Sequence, residues 1–167
     1  MSMIGQFARV TPAEFDRALD DPEWAFKLVM GRMEAEAGQA AEPAADRCLD
    51  VDKAWDALGF LLRRAAFPVE IVYGEEDVPA ADDWGYGPPR YLTPERVRVA
   101  AEALAEISGA DLTAGVGPED LALAAVYPSI VWERGEPLDY VREHYDALRP
   151  FFRAAADQGD AVLVWLG

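Results

Sequence analysis

Acid, lysine and tryptophan stand together in Asp50-Val51-Asp52-Lys53-Ala54-Trp55, just ahead of an apolar helical pattern. Two carboxylates whose pKa values are pushed apart can share acid and base work without a histidine. Aromatic rings with a few polar groups line many ligand pockets and also dominate protein interfaces. Asp52, Lys53 and Trp55 are therefore candidates for a ligand or partner surface. A second set lies further along: Trp84, Tyr86, Arg90 and Tyr91 around a Gly- and Pro-rich stretch, then Tyr127, Trp132 and Glu133. The plainer reading makes Trp55 and Tyr91 core residues and pairs Asp52 with Arg90 in a structural ion pair. It is preferred, because aromatics are the commonest large core side chains.

Complete catalytic sets are missing from the sequence. Ser2, Ser108 and Ser129 lie outside any Gly-x-Ser-x-Gly turn, so no activated serine is expected. His144 has Tyr140 four residues before it and Leu148 four after, which places it at the edge of a buried stripe as a structural or surface residue. Cys48 is the only cysteine, which rules out an intramolecular disulfide, and beside Leu49 it reads as a small buried hydrophobe. Without a Cys-x-x-Cys or His-Glu-x-x-His pattern, no zinc site is predicted. Glu75, Glu76, Asp77, Asp82 and Asp83 lack the glycine and ligand spacing of a calcium loop and read as a solvated acidic stretch. The glycines of Gly85-Tyr86-Gly87-Pro88 are followed by prolines that donate no amide and by no phosphate-holding lysine. No cofactor is expected, and the balance leans away from an enzyme.

The chain has 167 residues, 51% of them hydrophobic, enough for a single core over residues 1–167. Thirty-one acids against fifteen lysines and arginines give a formal charge of -16. Such a field repels nucleic acid and anionic lipid surfaces and attracts a basic protein surface. No apolar run approaches the roughly 20 residues of a membrane span, and the first residues lack a signal-peptide pattern. A cytoplasmic protein is expected.

The elements that must hold the candidates follow from local patterns. Ile4–Val10 alternates as a strand, and Thr11-Pro12-Ala13-Glu14 carries helix-start chemistry, repeated at Thr93-Pro94-Glu95. Asp21-Pro22 restarts a helix with Trp24, Leu28 and Val29 inward. A helix runs from Asp50 to about Ala65, capped by Asp50 or Asp52. Val69–Tyr73 is strand-like, residues 75–89 form a long loop with Trp84-Gly85-Tyr86 exposed, and Arg90–Leu92 is a short strand. Pro118 opens a short helix. The strongest periodicity, through Leu138, Val141, Tyr145, Leu148, Phe152 and Ala155, predicts a long helix from Glu136-Pro137 to Gly159. Ala161–Leu166 is a continuous apolar run suited to a strand covered on both faces. The class is α+β: a small mixed sheet, including both terminal strands, packed against several helices.

In order along the chain stand Met3-Ile4-Gly5, Leu49-Asp50-Val51-Asp52-Lys53-Ala54-Trp55 with Leu58 and Phe60, and Gly87-Pro88-Pro89-Arg90-Tyr91-Leu92-Thr93-Pro94. Tyr127-Pro128, Trp132, Tyr140, Leu148, Phe152 and Ala161-Val162-Leu163 follow. Together these pieces resemble the bacterial YfbM-like family, a domain of unknown function. The family pattern often has a histidine where this chain has Gly59. The resemblance implies a compact α+β domain and no activity that can be carried over. From the acidic composition and the aromatic loop, the expected role is non-catalytic binding of a protein partner with a basic surface. The alternatives are self-association through the aromatic loop, and a small-molecule binder or enzyme using carboxylates near Trp55 and residues 84–91. That last alternative requires Asp52, Arg90 or Glu133 to meet in one pocket.

Overall fold

A computed structural model describes residues 2–167. The chain opens with strand β1 (Gly5–Val10) and a helical hairpin, α1 (Pro12–Asp20) and α2 (Pro22–Glu36). Thr11 caps α1 by accepting from the Glu14 amide while Glu14 returns a carboxylate to the Thr11 amide; Asp21 caps α2 through the Trp24 amide. These contacts satisfy first-turn amides that would otherwise be orphaned. Next come β2 (Cys48–Asp50), a single 3₁₀ turn over Asp52–Ala54 and α3 (Trp55–Arg64). The long connection to α4 (Pro94–Glu106) contains β3 (Glu76–Asp77) and β4 (Arg90–Leu92). Three short helices follow, α5 (Gly109–Thr113), α6 (Pro118–Leu123) and α7 (Ser129–Glu133), and then α8 (Asp139–Gln158) and β5 (Ala161–Leu166).

The strands form one sheet in the order β2-β1-β5-β4-β3, so the two terminal strands sit side by side at its centre. The α+β class holds. Every pairing is antiparallel, where a mixed sheet was expected. The register gives the reason. Cys48 at the start of β2 pairs with Ala8 near the end of β1, and Val162 near the start of β5 pairs with Leu92 at the end of β4. In each case the intervening helices bring the chain back to the end of the sheet it left, which makes neighbours antiparallel.

Strand alternation then sorts the core into two layers. Phe7, Val162, Val164 and Leu92 face the larger cluster with α3, α4 and α8. Ala8, Val10, Ala161, Leu163 and Trp165 face the opposite way, onto Phe15, Ala18, Ala25 and Val29 of the α1–α2 hairpin. Strand β5 is therefore covered on both faces, as its unbroken apolar run demanded. Gly159, at φ +72, closes α8 in the left-handed conformation that lets the chain turn into β5.

A buried ionic network ties the hairpin to the sheet. Asp160, 1% exposed, accepts from Arg9 Nε at 3.0 Å and from Arg47 Nη1 at 3.3 Å. Glu14 on α1 bridges Arg47 and Arg32, the latter on α2. Burial raises the Glu14 carboxyl, but its bonds from Arg32 and the Thr11 amide outweigh that and hold it below the ordinary value.

Three local expectations need correction. Val69–Tyr73 is a pair of tight turns, with the Gly74 amide bonded to Glu70 O, because Val69, Ile71 and Val72 all point into the core and no strand lies alongside. Neither Asp50 nor Asp52 caps α3: Asp50 accepts from the Asp52 amide, and Asp52 bonds Tyr140. Trp84 is 5% exposed instead of projecting from its loop, because it packs against Trp165 of β5. Only Tyr86 of that stretch is exposed as a large hydrophobe.

Candidate functional site

The sequence candidates separate into four places. Trp55 and Tyr127 come together: their rings stack at 5.2 Å, and Tyr73 meets Trp55 edge-on at 6.0 Å. Beneath them Asp56, at the start of α3, accepts from Tyr73 Oη at 2.9 Å and from the Tyr127 amide at 2.8 Å. Trp55 Nε1 donates to Met3 O, and the Met3 amide donates to Tyr127 Oη. Every polar atom in this knot has a partner, so it clamps the N-terminal segment and the Tyr127 turn onto α3. Burial, with the Asp56 charge beside it, pushes the Tyr73 phenol up to about 12. At neutral pH it is a hydrogen-bond donor and not a base.

Asp52 and Lys53 lie one step away. Tyr140 Oη donates to Asp52 Oδ2 at 2.6 Å and accepts from the Lys53 amide at 3.0 Å. Burial and that carboxylate raise the Tyr140 phenol far above its ordinary range. Asp52 holds φ +47, so the Tyr140 bond fixes a strained turn residue at the head of α3. The expected Asp52–Arg90 pair does not form. Arg90 pairs with Asp77 across β3 and β4 and donates to Gly74 O.

Arg90 and Tyr86 line a small cleft of about 120 Å³ with Tyr73 and the end of β5. Tyr91 is on the other side of the sheet, edge-on to Phe15 at 5.0 Å and partly buried against that cluster. Trp132, 1% exposed, and Glu133 belong to α7 and line a separate cavity. Asp52, Arg90 and Glu133 thus share no pocket.

Two cavities gather residues that the sequence left apart. The larger, about 550 Å³, lies between the end of α2, β2 and α8 and includes Cys48 and His144. Cys48 is half-buried, and burial together with nearby Glu36 pushes its thiol up to about 12, which keeps it protonated. His144 stands edge-on to Tyr140 at 4.9 Å. Among the described residues no group of three or more His, Cys, Asp or Glu is placed to hold a metal ion.

The other cavity, about 490 Å³, is lined by five carboxylates. Asp20, Asp21 and Glu23 from the α1–α2 junction meet Asp82 and Asp83 from the long loop. Its apolar side is Phe26, 39% exposed, standing edge-on to Trp84 at 5.6 Å. Asp21 is occupied as a helix cap and Glu23 pairs with Lys27, whereas among the described residues Asp20, Asp82 and Asp83 have no cation within ion-pair distance. Carboxylates beside an aromatic shelf suit a cation, which the ring faces also attract. Asp82, Asp83 and Trp84 were visible as an acidic, aromatic loop. Asp20, Glu23 and Phe26 were not, because only the fold brings residues some sixty positions apart together.

A family model described as "Domain of unknown function (DUF1877)" matches residues 1–165, and the chain belongs to that family. Among solved structures it is similar to YfbM from Escherichia coli, described as a protein of unknown function. The two share 19% identity and a TM-score of 0.64, over 99% of this chain and 100% of that one. At that identity the likeness establishes the fold alone. A search of curated proteins gave no match.

Proposed function

We propose that this DUF1877 member is a non-catalytic binding domain that docks a basic segment of another protein at the acidic cavity between the α1–α2 junction and the loop before β4. The carrying observation is the set of unpaired carboxylates Asp20, Asp82 and Asp83 around the Phe26–Trp84 shelf. A lysine or arginine there gains Coulomb attraction and ring contact together. The formal charge of -16 adds long-range steering that speeds encounter and fades with salt. A reducing, cytoplasmic setting goes with this reading, since the lone Cys48 is free. The enzyme alternative would need Asp52, Arg90 and Glu133 at one cavity, and its support falls with their separation.

Hexalysine amide is a suitable probe. Calorimetry at low salt should give one-site binding that weakens at least about tenfold in Asp82→Asn/Asp83→Asn, since lost charge pairs and steering both count. Equal binding by the variant refutes the site. Removing residues 75–86 is not a clean alternative, because Val78 and Trp84 belong to the core.

A further inference from the structure

We propose that the α6–α7 hairpin is a second docking site, for an amphipathic basic segment of a partner protein: an apolar side chain enters the cavity between the two helices while an adjacent lysine or arginine reaches Glu119 and Glu133. The proposal shares with the preceding reading only the sign of the partner's charge. The two sites lie on opposite sides of the sheet, since Trp132 belongs to the cluster under α8 and Trp84 to the cluster under α1–α2.

The cavity measures about 480 Å³. Pro118, Ala122, Leu123 and Trp132 supply its apolar lining, and Glu119 and Glu133 its charge. Leu123 is 87% exposed and Ile130, on the neighbouring helix, 54%. They are the two most solvent-exposed large hydrophobic residues among those described. Solvation does not favour two branched aliphatic side chains on facing short helices, whereas an apolar partner does. Trp132, almost fully buried, has the only buried side-chain nitrogen or oxygen without a hydrogen-bond partner among the described residues, its Nε1. That nitrogen is shut off from solvent, so Trp132 contributes to the site as cavity wall and not as a donor.

Charge chooses the occupant. Among the described residues neither Glu119 nor Glu133 has a cation within ion-pair distance. A second copy of this chain, meeting its twin around a two-fold axis, would bring both pairs of carboxylates face to face. A segment with lysine or arginine next to leucine satisfies the apolar lining and the two carboxylates at once.

The test is a titration of the full-length, ¹⁵N-labelled protein, read at the assigned indole N–H signals of Trp132 and Trp84. The probes are acetyl-Leu-Lys-Leu-Lys-amide, acetyl-Ser-Lys-Ser-Lys-amide and acetyl-Leu-Glu-Leu-Glu-amide. Only the Leu-Lys peptide should move Trp132 in a saturable way. Leu123→Ser and Glu119→Gln/Glu133→Gln, at solvent-facing positions that leave the fold intact, should each weaken that response by roughly fivefold to tenfold. A Trp132 signal unmoved by Leu-Lys overturns the site, and so does equal movement by Leu-Glu or Ser-Lys. A Trp132 shift with protein concentration alone, abolished by Leu123→Ser, overturns it in favour of self-association. Hexalysine movement of Trp84 reports separately on the first cavity.

Discussion

Asp160→Asn probes the link that holds the α1–α2 hairpin, and with it half of the proposed binding cavity, against the sheet. The wild-type carboxylate is 1% exposed and accepts from Arg9 and Arg47, and Arg9 itself is 4% exposed. Asparagine keeps the shape and one acceptor oxygen, but it leaves a buried guanidinium without its counter-charge and can turn an amide N–H toward it. Removing one partner of a buried pair costs about 3–5 kcal/mol, and the retained acceptor together with Arg9's weak bond to Asp46 O lowers the expectation to about 2–4 kcal/mol. With a urea slope of about 2 kcal/mol/M for a domain of this size, the midpoint should fall by roughly 1–2 M at unchanged slope. Glu23→Gln serves as the control, since its pair with Lys27 is 80% and 73% exposed at the two side chains. Surface pairs of that kind contribute about 0–1 kcal/mol. Equilibrium unfolding by circular dichroism reads both variants. A loss below about 1 kcal/mol for Asp160→Asn, indistinguishable from the control, would refute the reasoning.

Other outcomes follow from the same geometry. Gly85→Ala should lose about 1–3 kcal/mol in the same assay, because Gly85 sits at φ +119 and a Cβ would lie 2.7 Å from Leu166 O. Wild-type stability in Gly85→Ala would contradict that close approach. In acid, Glu14 and Glu75, both held below the ordinary carboxyl value, should lose their contribution as pH falls. For Glu14 the bonds from Arg32 and Thr11 outweigh a burial penalty, and for Glu75 the Arg96 hydrogen bonds dominate. A depressed folded-state pKa stabilises fully above the unfolded value of about 4.5 and is lost below it, so the urea midpoint should drop below about pH 4.5 and less steeply in Glu14→Gln/Glu75→Gln. An identical slope in that variant would count against the two ion pairs. Cys48, with its thiol pushed up to about 12, should react with a disulfide reagent at pH 8 far more slowly in the folded protein than in urea. Equal rates would show an activated or fully accessible thiol.

Local chemistry made much of the fold legible. The Thr11 and Thr93 helix starts, the α8 stripe and the doubly covered β5 depend on neighbours within a few residues or on a repeating face, and the structure has all of them. Ser108-Gly109-Ala110-Asp111 is a local capping box that starts α5. Val69–Tyr73 misled because β-branched residues suit any buried extended turn, not strands alone. The candidate set fared unevenly for one physical reason. Trp55 and Tyr127 look alike in sequence to Trp84 and Tyr91, yet α3 and the turn before α7 carry the first pair into one core cluster while the long loop and β4 carry the second into the other, across the sheet. The acidic cavity was half visible in Asp82 and Asp83. Its other half sits on a helix junction tied to the sheet from Glu14 through Arg47 to Asp160, long-range contacts with no local signature.

The most direct test of the binding account is the Trp84 indole response to hexalysine amide at low and high salt, in wild type and in Asp20→Asn/Asp82→Asn/Asp83→Asn. The account predicts saturable movement of Trp84 at about 20 mM salt, at least tenfold weaker binding at about 200 mM, and loss of the response in the triple variant. Movement of Trp84 that survives both the added salt and the three substitutions would contradict it.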